Sequence, residues 1–146
     1  MTKKQNTVVW EGWCSVDIPK DWTWSEDAGV ISIFNETEGV GVLQISFASR
    51  PQLSIPTSEE AVTLSQSFAK SQNWMIDAST VKVTRSENSL ISAMVYCTSD
   101  EEPTLWKVWH MVERSRVASI TYNSAQEDKD IESGAVISIL GSFKWD

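Results

Sequence analysis

Any histidine-based dyad in this 146-residue chain must use His110, and the cysteines that could pair with it as nucleophile are Cys14 and Cys97. A thiolate attacking with His110 as base would make the protein a hydrolase. Such a pair needs a local signature, and none surrounds these residues. His110 stands mid-strand between Trp109 and Met111, on the side shared by Trp106 and Val108. That is the setting of a histidine satisfied within a sheet. Zinc requires several Cys or His at short spacings, and here the three are scattered singly. The acidic runs Glu36-Thr-Glu38 and Asp100-Glu-Glu102 lack the alternating ligands and downstream Glu of a calcium loop, so they read as solvated turns. Gly39-Val-Gly41 opens a strand without a helix behind it, which is no phosphate loop. Nothing singles out a working pair among the twenty acidic residues. The expectation is a protein without catalytic residues, metal or cofactor.

Recognition chemistry is better represented, by eight tryptophans. An indole supplies a large apolar face and one N–H donor, and it anchors interfaces and ligand sites alike. Trp22 and Trp24 lie in a polar stretch, and Trp109 lies on a strand. These three are the candidate binding residues, with Trp24 the most accessible. The competing structural reading puts Trp10, Trp106, Trp109 and Trp145 in the core and folds Trp22 back over a sheet edge.

The net charge of −8 removes the attraction to phosphate on which non-specific nucleic-acid binding rests, and it disfavours anionic membranes. The expected partner is therefore a protein, with no nucleic acid and no membrane. Met1 to Thr7 holds two lysines with no apolar run behind them, which is not a secretory signal. No stretch approaches the roughly 20 apolar residues of a membrane span. Two cysteines without an export signal read as reduced thiols. A cytoplasmic location is expected.

The elements that would position these residues follow from hydrophobic period. Trp10 to Pro19 alternates as a strand, and Lys20 to Glu26 reads as a connection. Gly29 to Phe34 and Val40 to Ser49 are strands joined by the hairpin loop Asn35–Gly39. Thr57-Ser-Glu-Glu60 is a capping box, and Ala61, Leu64, Ser65, Phe68 and Ala69 form one apolar helical stripe ending near Gln72. Strands follow at Ser79–Arg85, Leu90–Thr98, Thr104–Glu113 and Arg116–Tyr122, with a turn at Asp100–Pro103. Leu90–Thr98 and Thr104–Glu113 are apolar on both sides, as in a sheet covered on both faces. A second capping box at Ser124-Ala-Gln-Glu127 precedes a helix with Ile131, Ala135, Ile139 and Leu140 inward, and then a tail with Phe143 and Trp145 to dock. The prediction is one α+β domain over 1–146, flexible at 1–7, of order βββ-α-ββββ-α. It has a mostly antiparallel sheet of six to seven strands between two helices on opposite faces.

This pattern resembles the PsbP-like superfamily, which includes the PsbP subunit of photosystem II, DcrB-type bacterial proteins and a Ran-binding nuclear-import factor. Trp13-Cys-Ser-Val-Asp-Ile-Pro-Lys-Asp-Trp22 is similar to the family's strand ending in P-x-x-W, Gly41-Val-Leu-Gln-Ile-Ser46 to its third strand, and Ile139-Leu-Gly-Ser-Phe-Lys144 to its closing I-L-x-S-F. The resemblance implies an antiparallel sheet sandwiched by helices and a non-enzymatic accessory protein that binds other proteins. These motifs mark element ends, so no functional residue carries over. The lipoprotein signal of DcrB-type members and the transit peptide of PsbP are not seen. The functional expectation is a cytoplasmic accessory protein for a protein partner, in its specific form an immunity protein or chaperone for a secreted toxin. The alternatives are a small-molecule module using exposed tryptophans, and a hydrolase around Cys14, Cys97 or His110.

Overall fold

The computed structural model describes residues 6–51, 55–72, 82–86, 89–97 and 104–146, with the backbone alone at 86 and 89–97. In chain order the elements are β1 (Asn6–Trp10), β2 (Cys14–Ile18), β3 (Trp22–Asp27), β4 (Val30–Asn35), β5 (Gly41–Ser49), α1 (Ser58–Ser71), β6 (Lys82–Ser86), β7 (Ser89–Cys97), β8 (Thr104–Val112), β9 (Arg116–Ala125), a 3-10 turn (Gln126–Asp128), α2 (Ser133–Gly141) and β10 (Lys144–Trp145). Seven strands form one sheet in the order β3-β4-β5-β9-β8-β7-β6, and β1-β2-β10 form a second. Every pairing is antiparallel.

The α+β class and the antiparallel sheet agree with the expectation; three local readings do not. The single strand from Trp10 to Pro19 is a hairpin. Gly12 turns it at φ +83°, and the Trp13 N–H donates to the Trp10 carbonyl at 2.9 Å. The strand partner so created, β1, begins at Asn6, inside the segment read as flexible; residues 1–5 lie outside the described residues. The connection at 20–26 is mostly strand β3. It pairs with β4 through the two-residue turn Ala28-Gly29, at φ 51° and 81°. A turn with two left-handed residues matches the twist of its strands. The second capping box is not a helix start: Ser124 belongs to β9, where it pairs with Gly41 and Leu105. α2 begins nine residues later, at Ser133, and Ile131 is exposed.

The first helix follows its signal more closely. Thr57 Oγ1 accepts from the Glu60 N–H at 3.2 Å, as a cap should. The Glu60 side chain does not return to the cap. Its two oxygens accept from Arg50 Nε at 2.5 Å and Nη2 at 2.6 Å. A bidentate guanidinium is a stronger partner than one backbone N–H. These hydrogen bonds hold the Glu60 carboxyl below the usual carboxylate range.

Side-chain parity divides the large sheet into two faces. Ile31 and Ile33, Leu43 and Ile45, Ile120 and Tyr122, and Met111 point to one side and are buried. The small sheet, through Cys14, Val16 and Ile18, and α2, through Val136 and Ile139, close over them. Full burial of each such aliphatic side chain contributes about 1.5–3 kcal/mol. On the other side α1 packs against β8, with Ala69 beside Val108. The helices therefore lie on opposite faces, as expected. The two-sided pattern of Leu90–Thr98 concerns side chains outside the described residues, as do the turn at 100–103 and the strand start at 79–81.

The C-terminal tail docks as a third strand rather than as loose aromatics. Asp146 accepts from the Gly12 N–H at 2.6 Å, and its own N–H donates to the Trp13 carbonyl at 2.9 Å. Arg116, ion-paired with Glu113, donates to the Gly12 carbonyl and stands 4.9 Å from the Trp145 ring centre.

Within the main core the Tyr122 hydroxyl donates to Glu132 Oε1 at 2.8 Å. This ring needs a glycine opposite: a Cβ at Gly41 would lie 2.4 Å from both the Tyr122 hydroxyl and the Asn123 carbonyl oxygen. Gly41→Ala should lower stability by at least about 1–3 kcal/mol in urea unfolding. Gly134→Ala meets nothing within 4 Å on a helix and should raise stability by up to about 1 kcal/mol. Equal effects at the two positions would contradict this packing.

Candidate functional site

Cys14 and His110 are held apart by the sheet. Cys14 belongs to the core between the two sheets, whereas His110 faces α1 on the opposite side of the large sheet. Burial pushes the Cys14 thiol up to about 12, so it stays protonated and unreactive. Cys97 pairs through its backbone with Leu105 in β8, and its side chain lies outside the described residues. No group of three or more His, Cys, Asp or Glu among the described residues could hold a metal ion.

His110 has a partner that sequence reading passed over. Its Nδ1 stands 3.0 Å from Ser65 Oγ, under α1, with the Phe68 ring edge-on at 5.9 Å. A serine beside an imidazole is a nucleophile–base arrangement in kind. Here Ser65 is 0% and His110 2% exposed, and neither lines the cleft described below. Desolvation pulls His110 down to about 4, so the ring is neutral at neutral pH. The contact ties helix to sheet. The signal for it was Ser65 itself, a hydroxyl inside an otherwise apolar stripe, opposite the chain's one imidazole.

Of the three candidate tryptophans, the fold gathers two. β1 and β3 are edge strands of their respective sheets, and they flank a cleft of ≈ 410 Å³. Thr7, Val8 and Val9 line it from β1, and Trp22, Thr23 and Trp24 from β3. Trp22 is buried at 6% exposure and serves as wall rather than platform. Trp24 is 42% exposed and Val9 60%, so an indole and an aliphatic group meet solvent together. Trp10 braces the Trp24 ring edge-on at 5.6 Å, and its own Nε1 is buried without a partner. Trp109 is not part of this group. It sits on β8, half-buried against the main core, opposite Ile120.

The segment that forms the cleft is acidic in sequence. From Asn6 to Asp27 the chain carries Glu11, Asp17, Asp21, Glu26 and Asp27 against Lys20 alone. Glu26 and Asp27 continue β3 directly beyond Trp24 and are exposed. Asp17 is partly engaged, accepting from the Thr7 hydroxyl at 2.6 Å.

No family model matches the sequence, and no curated protein matches it. Solved structures match the whole architecture. Cyanobacterial PsbP (CyanoP) from Synechocystis sp. PCC 6803 superposes with a TM-score of 0.68 at 15% identity, over 98% of this chain and 92% of that one. The Saccharomyces cerevisiae Ran-binding protein Mog1p gives 0.64 at 6% identity, over 98% and 96%. A protein from Bacteroides thetaiotaomicron VPI-5482 gives 0.70 at 12% identity over 96% of this chain, which spans about half of that protein's length (48%). The fold is therefore PsbP/Mog1-like. At these identities the likeness extends to architecture alone.

Two measurements check the buried groups. With a folded pKa near 4 against an ordinary 6.5, His110 binds its proton more readily in the unfolded chain. Its contribution is complete above about pH 6.5, and about 3 kcal/mol is lost as the pH falls to 4. His110→Gln should flatten the fall in unfolding free energy across that window by this amount; an unchanged slope would contradict the buried neutral ring. Cys14 should resist a thiol reagent at pH 8 in the folded chain and react on unfolding.

Proposed function

We propose that the chain is a partner-binding accessory protein without chemistry of its own, which captures an extended basic segment of another protein along the β1–β3 cleft. The observation that carries this reading is the exposed Trp24 beside Val9, between two strand edges and among acidic residues. An edge strand offers unpaired N–H and C=O groups, which an added strand can satisfy. Trp24 offers a ring face to a lysine or arginine side chain, worth about 0.5–2 kcal/mol depending on desolvation. Glu26, Asp27 and Glu11 raise the encounter rate with a cationic segment and disfavour an acidic one.

Fold-level analogy points the same way, since one solved protein of this architecture is Ran-binding. A cytoplasmic location, and an immunity or chaperone role toward a secreted toxin, are the specific form of the proposal. They suit a small acidic protein whose partner is basic.

The test is affinity capture followed by measurement with the identified partner. Wild type should bind with an affinity that falls as salt rises, as expected for charge steering. Trp24→Ala, and separately Glu26→Lys with Asp27→Lys, should each weaken binding at least about tenfold, or 1.4 kcal/mol. Full affinity in both variants would refute the assignment of the cleft.

A further inference from the structure

Among the described strands β3 stands at the end of the seven-strand order, paired with β4. The phase of that ladder fixes where its main-chain groups point. One step beyond Trp22↔Asn35, the Glu36 N–H donates to the Asp21 carbonyl at 3.1 Å, so Asp21 and Glu36 are a hydrogen-bonded pair. Bonded and unbonded pairs alternate along an antiparallel ladder. Thr23, Ser25 and Asp27 therefore turn their N–H and C=O groups toward β4. The two-residue turn Ala28-Gly29 requires the same phase, since the pair that closes it, Asp27↔Val30, is a bonded one.

The main-chain groups of Trp22, Trp24 and Glu26 point the other way, off the end of the sheet. The Trp22 N–H is taken by the Pro19 carbonyl at 3.0 Å. Beyond it the outward-pointing groups are those of Trp24 and Glu26, and every residue from Trp24 to Asp27 is exposed. Side chains follow the same period of two. Trp22, Trp24 and Glu26 share one face, on which Trp22 enters the core and Trp10 braces Trp24. Asp27 lies on the opposite face, with Thr23 and Ser25.

From this phase we infer that the partner segment adds to β3 as a strand and carries two basic side chains two residues apart. One stands opposite Trp24 and the other opposite Glu26. The inference rests on the reading of the β1–β3 cleft as the partner site, and it specifies the strand and the spacing. Side chains directly opposite on one face of an antiparallel pair have Cβ atoms about 4.5–5.5 Å apart. That separation brings one cation over the indole and the other to the carboxylate. Adjacent basic residues would point to opposite faces, and only one of them could reach this pair. The net charge of −8 attracts any cationic segment, whereas the alternation selects among them.

Two blocked, threonine-rich peptides of about nine residues, the length of a longer strand, test the inference. Each carries two arginines, two residues apart in one peptide and adjacent in the other. By titration calorimetry at low salt, the spaced peptide should bind with a Kd between about 10 μM and 1 mM, at least about fivefold tighter than the adjacent one. Glu26→Gln should abolish that preference, whereas Asp27→Asn should weaken both peptides alike and leave it intact. In the labelled wild-type chain, the amide protons of Trp24 and Glu26 should gain protection from solvent exchange when the spaced peptide binds. The Ser25 amide should not change. Equal affinity for the two peptides, with amide shift changes still centred on residues 6–9 and 22–27, would overturn the strand addition and leave the cleft assignment standing. Binding of neither peptide at about 1 mM, or shift changes confined to other residues, would overturn both.

Discussion

The pairing register of β5, β9 and β8 is the constraint on which the rest of the molecule depends. β5 and β9 pair without interruption from Gly41↔Ser124 to Ser49↔Arg116, and β9 and β8 from Thr104↔Ala125 to Val112↔Val117. Side chains alternate between faces with a period of two, so a slip of one residue would turn Leu43, Ile45, Ile120 and Tyr122 outward. Specific contacts hold both ends. At one end Gly41 leaves room for the Tyr122 ring, whose hydroxyl reaches the buried Glu132 ahead of α2. At the other, the Arg50 N–H donates to the Ser115 carbonyl, and its guanidinium to the Arg114 carbonyl while gripping Glu60. One buried arginine thus fixes the β8–β9 turn and the first turn of α1 together.

That register also decides which surfaces are available for binding. The core face is closed by α2 and the small sheet, and the docked tail secures the β1–β2 turn against Arg116. Closing it this way sets β1 beside the edge strand β3, which creates a cleft with an exposed indole. On the opposite face α1 packs over β6, β7 and β8. The potentially reactive side chains, Cys14, His110 and Ser65, are buried on the two sides of the same sheet.

Most of the sheet was legible because its signals are local. The alternation in β5, the two-sided pattern in β8 and the cap at Thr57 each follow from short-range rules, and the α+β class they point to matches the PsbP/Mog1-like architecture. The errors arose where local chemistry was ambiguous. Asp27-Ala-Gly29 lacks the usual Asn-Gly or Asp-Gly pair of a two-residue hairpin, so β3 was missed and Trp22 was placed on a connection. Ser124-Ala-Gln-Glu127 has the composition of a capping box, yet β-pairing with Gly41 and Leu105 prevails over it. The site residues followed suit. Trp24 is exposed and Trp22 lies beside it, but the separation of Trp109 depends on long-range pairing that spacing does not show. The Ser65–His110 contact spans 45 positions and was legible only as an odd hydroxyl in a stripe.

Cysteine-scanning labelling along β5 tests the register most directly, in a background carrying Cys97→Ser, where the one remaining native thiol, Cys14, is buried. Cysteines placed in turn at Val42, Leu43, Gln44, Ile45 and Ser46 are exposed to a thiol reagent under native conditions. Reaction at 42, 44 and 46 with protection at 43 and 45 is the predicted result. Uniform reactivity, or the opposite alternation, would contradict the division of the sheet into a closed core face and a more accessible one.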